Sequence, residues 1–209
     1  MKAFSVALAT LLLGAGLALG QTITVSTTVQ GTAGPWQWVN GGLNTAYQYG
    51  FGDNTAPDVV NASSGLTFSS GLSLTIQYVS GLVSLGPGNG WAYVDADGTC
   101  NVMDTNYYGG YAPASYMNPS TFPIYASELV ATFANNSGQI VGTPFAVGDL
   151  GTCTIPAGAT QLQLGVNSVG YGTSVGSWTV NVSGIPEPTT MGLVLISLTG
   201  SELVIRRRK

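Results

Sequence analysis

Positive charge is what this chain lacks. It contains no histidine, and its basic residues are Lys2, Arg206, Arg207, Arg208 and Lys209, so residues 21–185 hold neither lysine nor arginine. A segment without cations cannot neutralise phosphates, which excludes nucleic acid and anionic membrane surfaces as electrostatic partners. The same absence removes Ser-His-Asp triads, lysine Schiff bases and phosphate clamps. It also leaves a thiol no cationic neighbour to activate it. Acidic residues are few as well: apart from Glu187 and Glu202 near the C-terminus, they are Asp53, Asp58, Asp95, Asp97, Asp104, Glu128 and Asp149. A glycosidase working on two carboxylates is the one enzymatic alternative left, and no motif pairs these acids. The chain reads as non-enzymatic.

Cysteine is scarce too. Cys100 and Cys153 are the only pair, and two thiols without a histidine do not make a zinc site. In an exported chain an even pair is a candidate disulfide, worth roughly 4 kcal/mol on the chain-entropy model. Amphipathic helical periodicity is missing between the two ends, and there is no internal repeat.

What fills the chain is alternation. Leu72, Leu74, Ile76 and Tyr78 alternate with Ser73, Thr75 and Gln77, and Leu129, Ala131 and Phe133 share one side of a second run. Leu162, Leu164 and Val166 form a third set, and Trp178, Val180 and Val182 a fourth; Gln21–Gln30 adds Ile23, Val25 and Thr27. Each run has an apolar face for a core and a polar face for water, as antiparallel strands do. Gly86-Pro87-Gly88-Asn89-Gly90, Asp97-Gly98, Asn135-Asn136-Ser137-Gly138 and Pro156-Ala157-Gly158 supply the turns. Trp91–Val94 is a further short strand. The reading is all-β, an antiparallel β-sandwich of about 165 residues, a usual size for one domain. Residues 101–125, rich in Tyr, Pro, Asn and Gly, read as a long surface loop and a candidate binding surface.

The two ends have their own character. Lys2, the apolar run Ala3–Leu19 and the small residues Ala18 and Gly20 predict a secretory signal peptide over residues 1–20. Near the other end, Pro186-Glu187-Pro188 cannot continue a strand ladder, so it closes the domain 21–185. The apolar run Met191–Ile205 follows, then Arg206-Arg207-Arg208-Lys209. It is short for a membrane span, which needs about 20 residues, and the basic cluster predicts that its end stays in the cytoplasm. This order, a Pro-Glu-Pro triplet, an apolar helix and a basic tail, resembles the PEP-CTERM sorting signal of Gram-negative bacteria over residues 186–209. The resemblance implies an exosortase-type partner, transient passage through the inner membrane, and release to the cell surface or exterior. A simple C-terminal anchor is the alternative.

Three stretches carry a second resemblance, over residues 65–183. They are Ser70–Ile76 running on to Ser84-Leu85-Gly86-Pro87, then Glu128–Phe133 with Asn136–Ile140, and last Ile155–Asn167 with Gly176–Val182. Their order is similar to the galactose-binding-domain-like, jelly-roll β-sandwich of calcium-dependent galactophilic bacterial lectins. That resemblance implies a calcium ion between two loops, with Leu85 lending a carbonyl and Ser168, Thr173 and Ser174 at the matching positions of the other loop. Hydroxyls stand where the lectins have carboxylates and amides, and calcium usually requires carboxylates among its six to eight oxygens. The resemblance therefore implies a weakened calcium site or a scaffold that has lost it.

Three other groups of residues have double readings. Asp95-Ala96-Asp97-Gly98 begins like a calcium loop without the later glutamate, and equally like an Asp-Gly turn. Asp53, Asn54 and Asp58 form a similar oxygen-rich patch. Trp36 and Trp38, within Pro35–Asn40 and near Tyr47, Tyr49 and Phe51, are either a sugar-stacking platform or core residues on one strand face. The expected function is that of a secreted or cell-surface matrix protein associated with exopolysaccharide, with calcium-assisted carbohydrate binding as the alternative.

Overall fold

The computed structural model describes residues 22–39, 42–44, 52–99, 125–168 and 170–184. The expected signal helix, the sorting segment, Cys100 and almost all of the 101–125 loop lie outside these residues. Eight strands form: β1 (Ile23–Gln30), β2 (Asp58–Asn61), β3 (Ser73–Ser84), β4 (Leu129–Ala134), β5 (Phe145–Ala146), β6 (Leu150–Thr154), β7 (Gln161–Val166) and β8 (Val175–Gly184). They make two four-stranded antiparallel sheets, ordered β1-β8-β3-β6 and β2-β7-β4-β5. The protein is all-β, with no α-helix among the described residues.

The alternating apolar rows meet in one buried cluster. Val29, Leu74, Ile76, Trp178, Val180 and Val182 come from the first sheet, and Val60, Leu129, Phe133, Leu162, Leu164 and Val166 from the second. Full burial of each large side chain stabilises the fold by roughly 1.5–3 kcal/mol. In β3 the inward parity changes part-way. Leu74 and Ile76 point in, then a bulge between Tyr78 and Ser80 inserts Val79, and Val83, opposite Gly176, is the next buried position.

The expected turns form where Gly and Pro place them. Gly98 N donates to Asp95 O at 3.2 Å, Gly138 N to Asn135 O at 2.9 Å and Ala159 N to Pro156 O at 3.3 Å. The expected strand over Trp91–Val94 is reduced to a single bridge between Val94 and Val83. The residues that follow turn away at once through Ala96 and Asp97.

One expectation fails on the second sheet. The polar faces of β4 and β7 were predicted to meet water, yet Val130, Thr132, Ala134 and Gln163 are all fully buried. The cause is the segment after β1, which crosses the outside of this sheet. Ala33 O accepts from Val166 N at 2.8 Å, and Gln37 N donates to Gln163 Oε1 at 3.3 Å. Asn44 then pins the crossing: its Nδ2 donates to Gln37 O and Gly138 O, and its Oδ1 accepts from Ile140 N. Gly165 makes the crossing possible, because a Cβ there would lie 2.2 Å from Gly34 O. The second sheet is thus covered on both faces, and the first only on one.

Candidate functional site

The loops that the lectin resemblance assigns to calcium do come together. Thr173 Oγ1 donates to Leu85 O at 2.8 Å, across 88 residues of sequence. The Leu85 carbonyl already accepts a proton, Ser168 Oγ donates to Gly170 O at 2.9 Å, and Ser174 Oγ is buried with no hydrogen-bond partner. No carboxylate belongs to the set. The nearest assistance comes from Asp53, whose Oδ2 accepts from Tyr171 N at 2.9 Å and Gly172 N at 2.7 Å and so holds the loop by its backbone. Leu85, Ser168, Thr173 and Ser174 thus offer only neutral oxygens, and neutral hydrogen bonds join the loops.

Asp53 and Asp58, grouped by sequence as one patch, have separate tasks. Asp58 accepts a short hydrogen bond from Thr27 Oγ1, which ties β2 of one sheet to β1 of the other.

The carboxylates that do gather are Asp95, Asp97 and Asp149, each offering an oxygen within 4.8 Å of the others. Asp95 and Asp97 sit on the turn after the Val94 bridge, and Asp149 precedes β6. Two backbone bonds staple these segments: Asp149 N donates to Asp97 Oδ1 at 2.7 Å, and Ala96 N–H donates to the Asp149 carboxylate. The other Asp149 oxygen, Oδ1, has no partner. Burial first, then the charges of Asp97 and Asp95, push the Asp149 pKa up from its ordinary value, against the Ala96 bond. Because residues 21–185 contain no cation, nothing of opposite sign offsets this repulsion. The sequence pointed to Asp95 and Asp97 but not to Asp149, which the β3–β6 pairing brings from 52 residues away.

Glu128 adjoins this group. It is nearly buried, its Oε2 accepts from Tyr125 N at 2.7 Å, and burial together with the Asp97 charge raises its pKa to about 7 against that bond. A hard cation takes carboxylate oxygens among its ligands, and without one these oxygens repel one another.

Trp36 and Trp38 part company. Trp36 is completely buried within the core cluster, whereas Trp38 only packs against it and lines an open cavity. The core reading holds for Trp36, and the surface reading stays open for Trp38 alone. Cys153 carries a free thiol; half-buried on β6, its Sγ donates to Leu74 O at 3.7 Å. Its expected disulfide partner, Cys100, lies outside the described residues. Tyr47, Tyr49, Phe51 and the sorting residues Pro186, Glu187, Pro188, Arg206, Arg207 and Arg208 lie outside the described residues.

No family model, no curated protein and no solved structure matches this chain.

Proposed function

We propose that this chain is an exported, non-enzymatic β-sandwich of the jelly-roll, galactose-binding-like kind that associates with neutral extracellular polysaccharide. In this reading the PEP-CTERM tail and its exosortase-type partner deliver it to the surface or matrix of a Gram-negative cell. The observation that carries the polysaccharide part is the open face of the first sheet. Register lines up Thr24, Ser183, Thr75 and Thr152 in one row across the four strands. The next row is Ser26, Asn181, Gln77 and Leu150, and the one beyond is Thr28, Thr179 and Ser80.

Neighbouring rows of hydroxyls and amides are set by strand spacing, about 4.8 Å between strands and about 6.7 Å between alternate residues. None of these side chains ionises. Such a surface both gives and accepts hydrogen bonds, as sugar hydroxyls do, and it requires no counter-charge. Each contact contributes only about 0.5–1.5 kcal/mol net, so binding grows with the number engaged along a polymer. Among the described residues, Asp95, Asp97 and Asp149 do not line the cavity beside Trp38, whereas a glycosidase needs two carboxylates facing each other across a cleft.

The test is co-sedimentation of the purified full chain with insoluble neutral polysaccharide, beside a variant carrying Thr75→Glu and Asn181→Glu. Retention of wild type and release of the double variant support the reading; no retention of wild type overturns it. Recovery of the full-length chain, Met1 to Lys209, from the cytosol would overturn the export part.

A second reading, calcium-assisted carbohydrate binding, is favoured by the gathering of Asp95, Asp97 and Asp149 rather than by the loops of Leu85 and Thr173. Calorimetry with calcium chloride decides it. Heat that disappears in Asp97→Asn supports a cation at that turn, and absence of heat rejects it.

A further inference from the structure

Where the segment after β1 leaves the second sheet, it forms a cavity of about 450 Å³ lined by Gln37, Trp38, Val39, Gly52, Asn54 and Ala56. The wall combines an indole, two amide side chains and small apolar groups, with no ionisable side chain among the described residues. From these observations we infer that this cavity is a subsite for one ring of a neutral saccharide, stacked on Trp38. The inference rests on the polysaccharide reading above and narrows it to a place and a ligand geometry.

Several features favour a ring rather than an aliphatic chain. Aromatic faces take flat apolar surfaces in offset contact, and the C–H face of a pyranose is such a surface. Amides at the rim of an apolar wall fix orientation by hydrogen bonding to the hydroxyls around it. The indole is held by packing: Gly52, at φ 77°, comes so close that a Cβ there would lie 3.2 Å from Trp38 Cζ3. A glycine is needed at that position both for its positive φ and for the approach of the ring. The indole N–H is buried with no hydrogen-bond partner among the described residues, so no polar tie fixes the ring.

Behind the cavity, the site is braced. Asp53, between the lining residues Gly52 and Asn54, fixes the Tyr171–Gly172 backbone, and Gly34 N donates to Thr55 O while Thr55 N donates to Thr32 O. Both walls are therefore anchored to the sheets rather than left as free loops. A preformed wall of this kind loses little entropy when a ligand enters. The absence of charge sets the ligand class: an acidic sugar would meet no cation here, and a phosphorylated one would be desolvated without a partner.

The experiment titrates the full chain with neutral hexasaccharides of glucose, mannose and galactose, following tryptophan emission, with oligogalacturonate as the charged comparison. Wild type, Trp38→Ala, Trp38→Phe and the sheet-face variant Thr75→Glu are compared, with thermal unfolding to show that each is folded. Support is an emission change with at least one neutral sugar and none with oligogalacturonate. Support also requires about tenfold or more weakening in Trp38→Ala and partial retention in Trp38→Phe. Equal binding by Trp38→Ala and wild type, with loss in Thr75→Glu, overturns the subsite and leaves the polysaccharide reading standing. No binding of any neutral sugar by wild type overturns both.

Discussion

The Thr173 hydroxyl donates its proton to the Leu85 carbonyl at 2.8 Å. The contact joins the two loops through neutral groups. A Cβ on Gly86 would come within 2.8 Å of Thr173 Oγ1, which shows how closely the loops approach.

Thr173→Val should therefore cost about 1 kcal/mol of stability, the net worth of one hydrogen bond between neutral groups. Urea denaturation at fixed pH measures it. Adding calcium chloride should leave the difference between variant and wild type unchanged, since no ligand of a cation has been removed. A calcium-dependent difference would mean that the loops hold the ion after all.

Glu128 predicts an unusual pH dependence. Its folded pKa is about 7 against an ordinary 4.5, with burial the first cause and Asp97 adding to it. The folded state then binds the proton more tightly than the unfolded one. Stability from this group is fully present below pH 4.5 and is lost as pH rises through about 7. The loss amounts to at most about 3–4 kcal/mol, from 1.36 kcal/mol per pKa unit. Glu128→Gln keeps an acceptor for Tyr125 N and has no charge to bury. It should match wild type near pH 4 and exceed it at pH 8, as read by the urea midpoint at each pH. Asp149, raised in the same direction, should leave a smaller slope of the same sign in the variant.

Much of the fold could be read from the chain because the first sheet obeys a simple rule. Trp178, Val180 and Val182 alternate with small polar residues, and the structure buries the first set. Strands β2, β5 and β6 were not legible. Asp58–Asn61 and Phe145–Ala146 are too short to show a period, and Leu150–Thr154 contains Gly151 and exposes Leu150 at 64%. They are strands because a neighbour pairs with them, which is a property of tertiary structure. The same applies to the acidic group: Asp95-x-Asp97-Gly98 is visible as a motif, whereas Asp149 arrives only through the β3–β6 register. Nothing local to Gln163 announces that a crossing segment will bury it.

The Cys153 thiol should be unreactive in the folded protein. Burial raises its pKa from 9.0 to about 11, opposed by a backbone hydrogen bond of Leu74. The thiolate is the reactive form, so its fraction near pH 8 falls about a hundredfold relative to an ordinary thiol. In a Cys100→Ser background, a chromogenic disulfide reagent at pH 8 should react slowly without denaturant and completely in urea. Fast reaction in the native state would place Cys153 at the surface.

Gly165 offers the sharpest test of the covering segment. Its backbone φ is not in the left-handed region, so any residue could adopt it; space is the constraint. A Cβ would stand 2.2 Å from Gly34 O and 2.5 Å from Pro35 N, and backbone cannot swing aside as a side chain can. Gly165→Ala should therefore cost at least about 3 kcal/mol, beyond ordinary overpacking. Gly158→Ala is the counterpart: nothing lies within 4 Å of its Cβ, but φ is 88°, so only conformational strain of about 1 kcal/mol applies. If the segment lifts in Gly165→Ala, Gln163 and Thr132 become exposed and Trp36 loses its cover. Tryptophan emission should then shift to the red while the β-sheet circular dichroism persists. A Gly165→Ala protein as stable as Gly158→Ala, with unshifted emission, would show that the segment does not cross at that point.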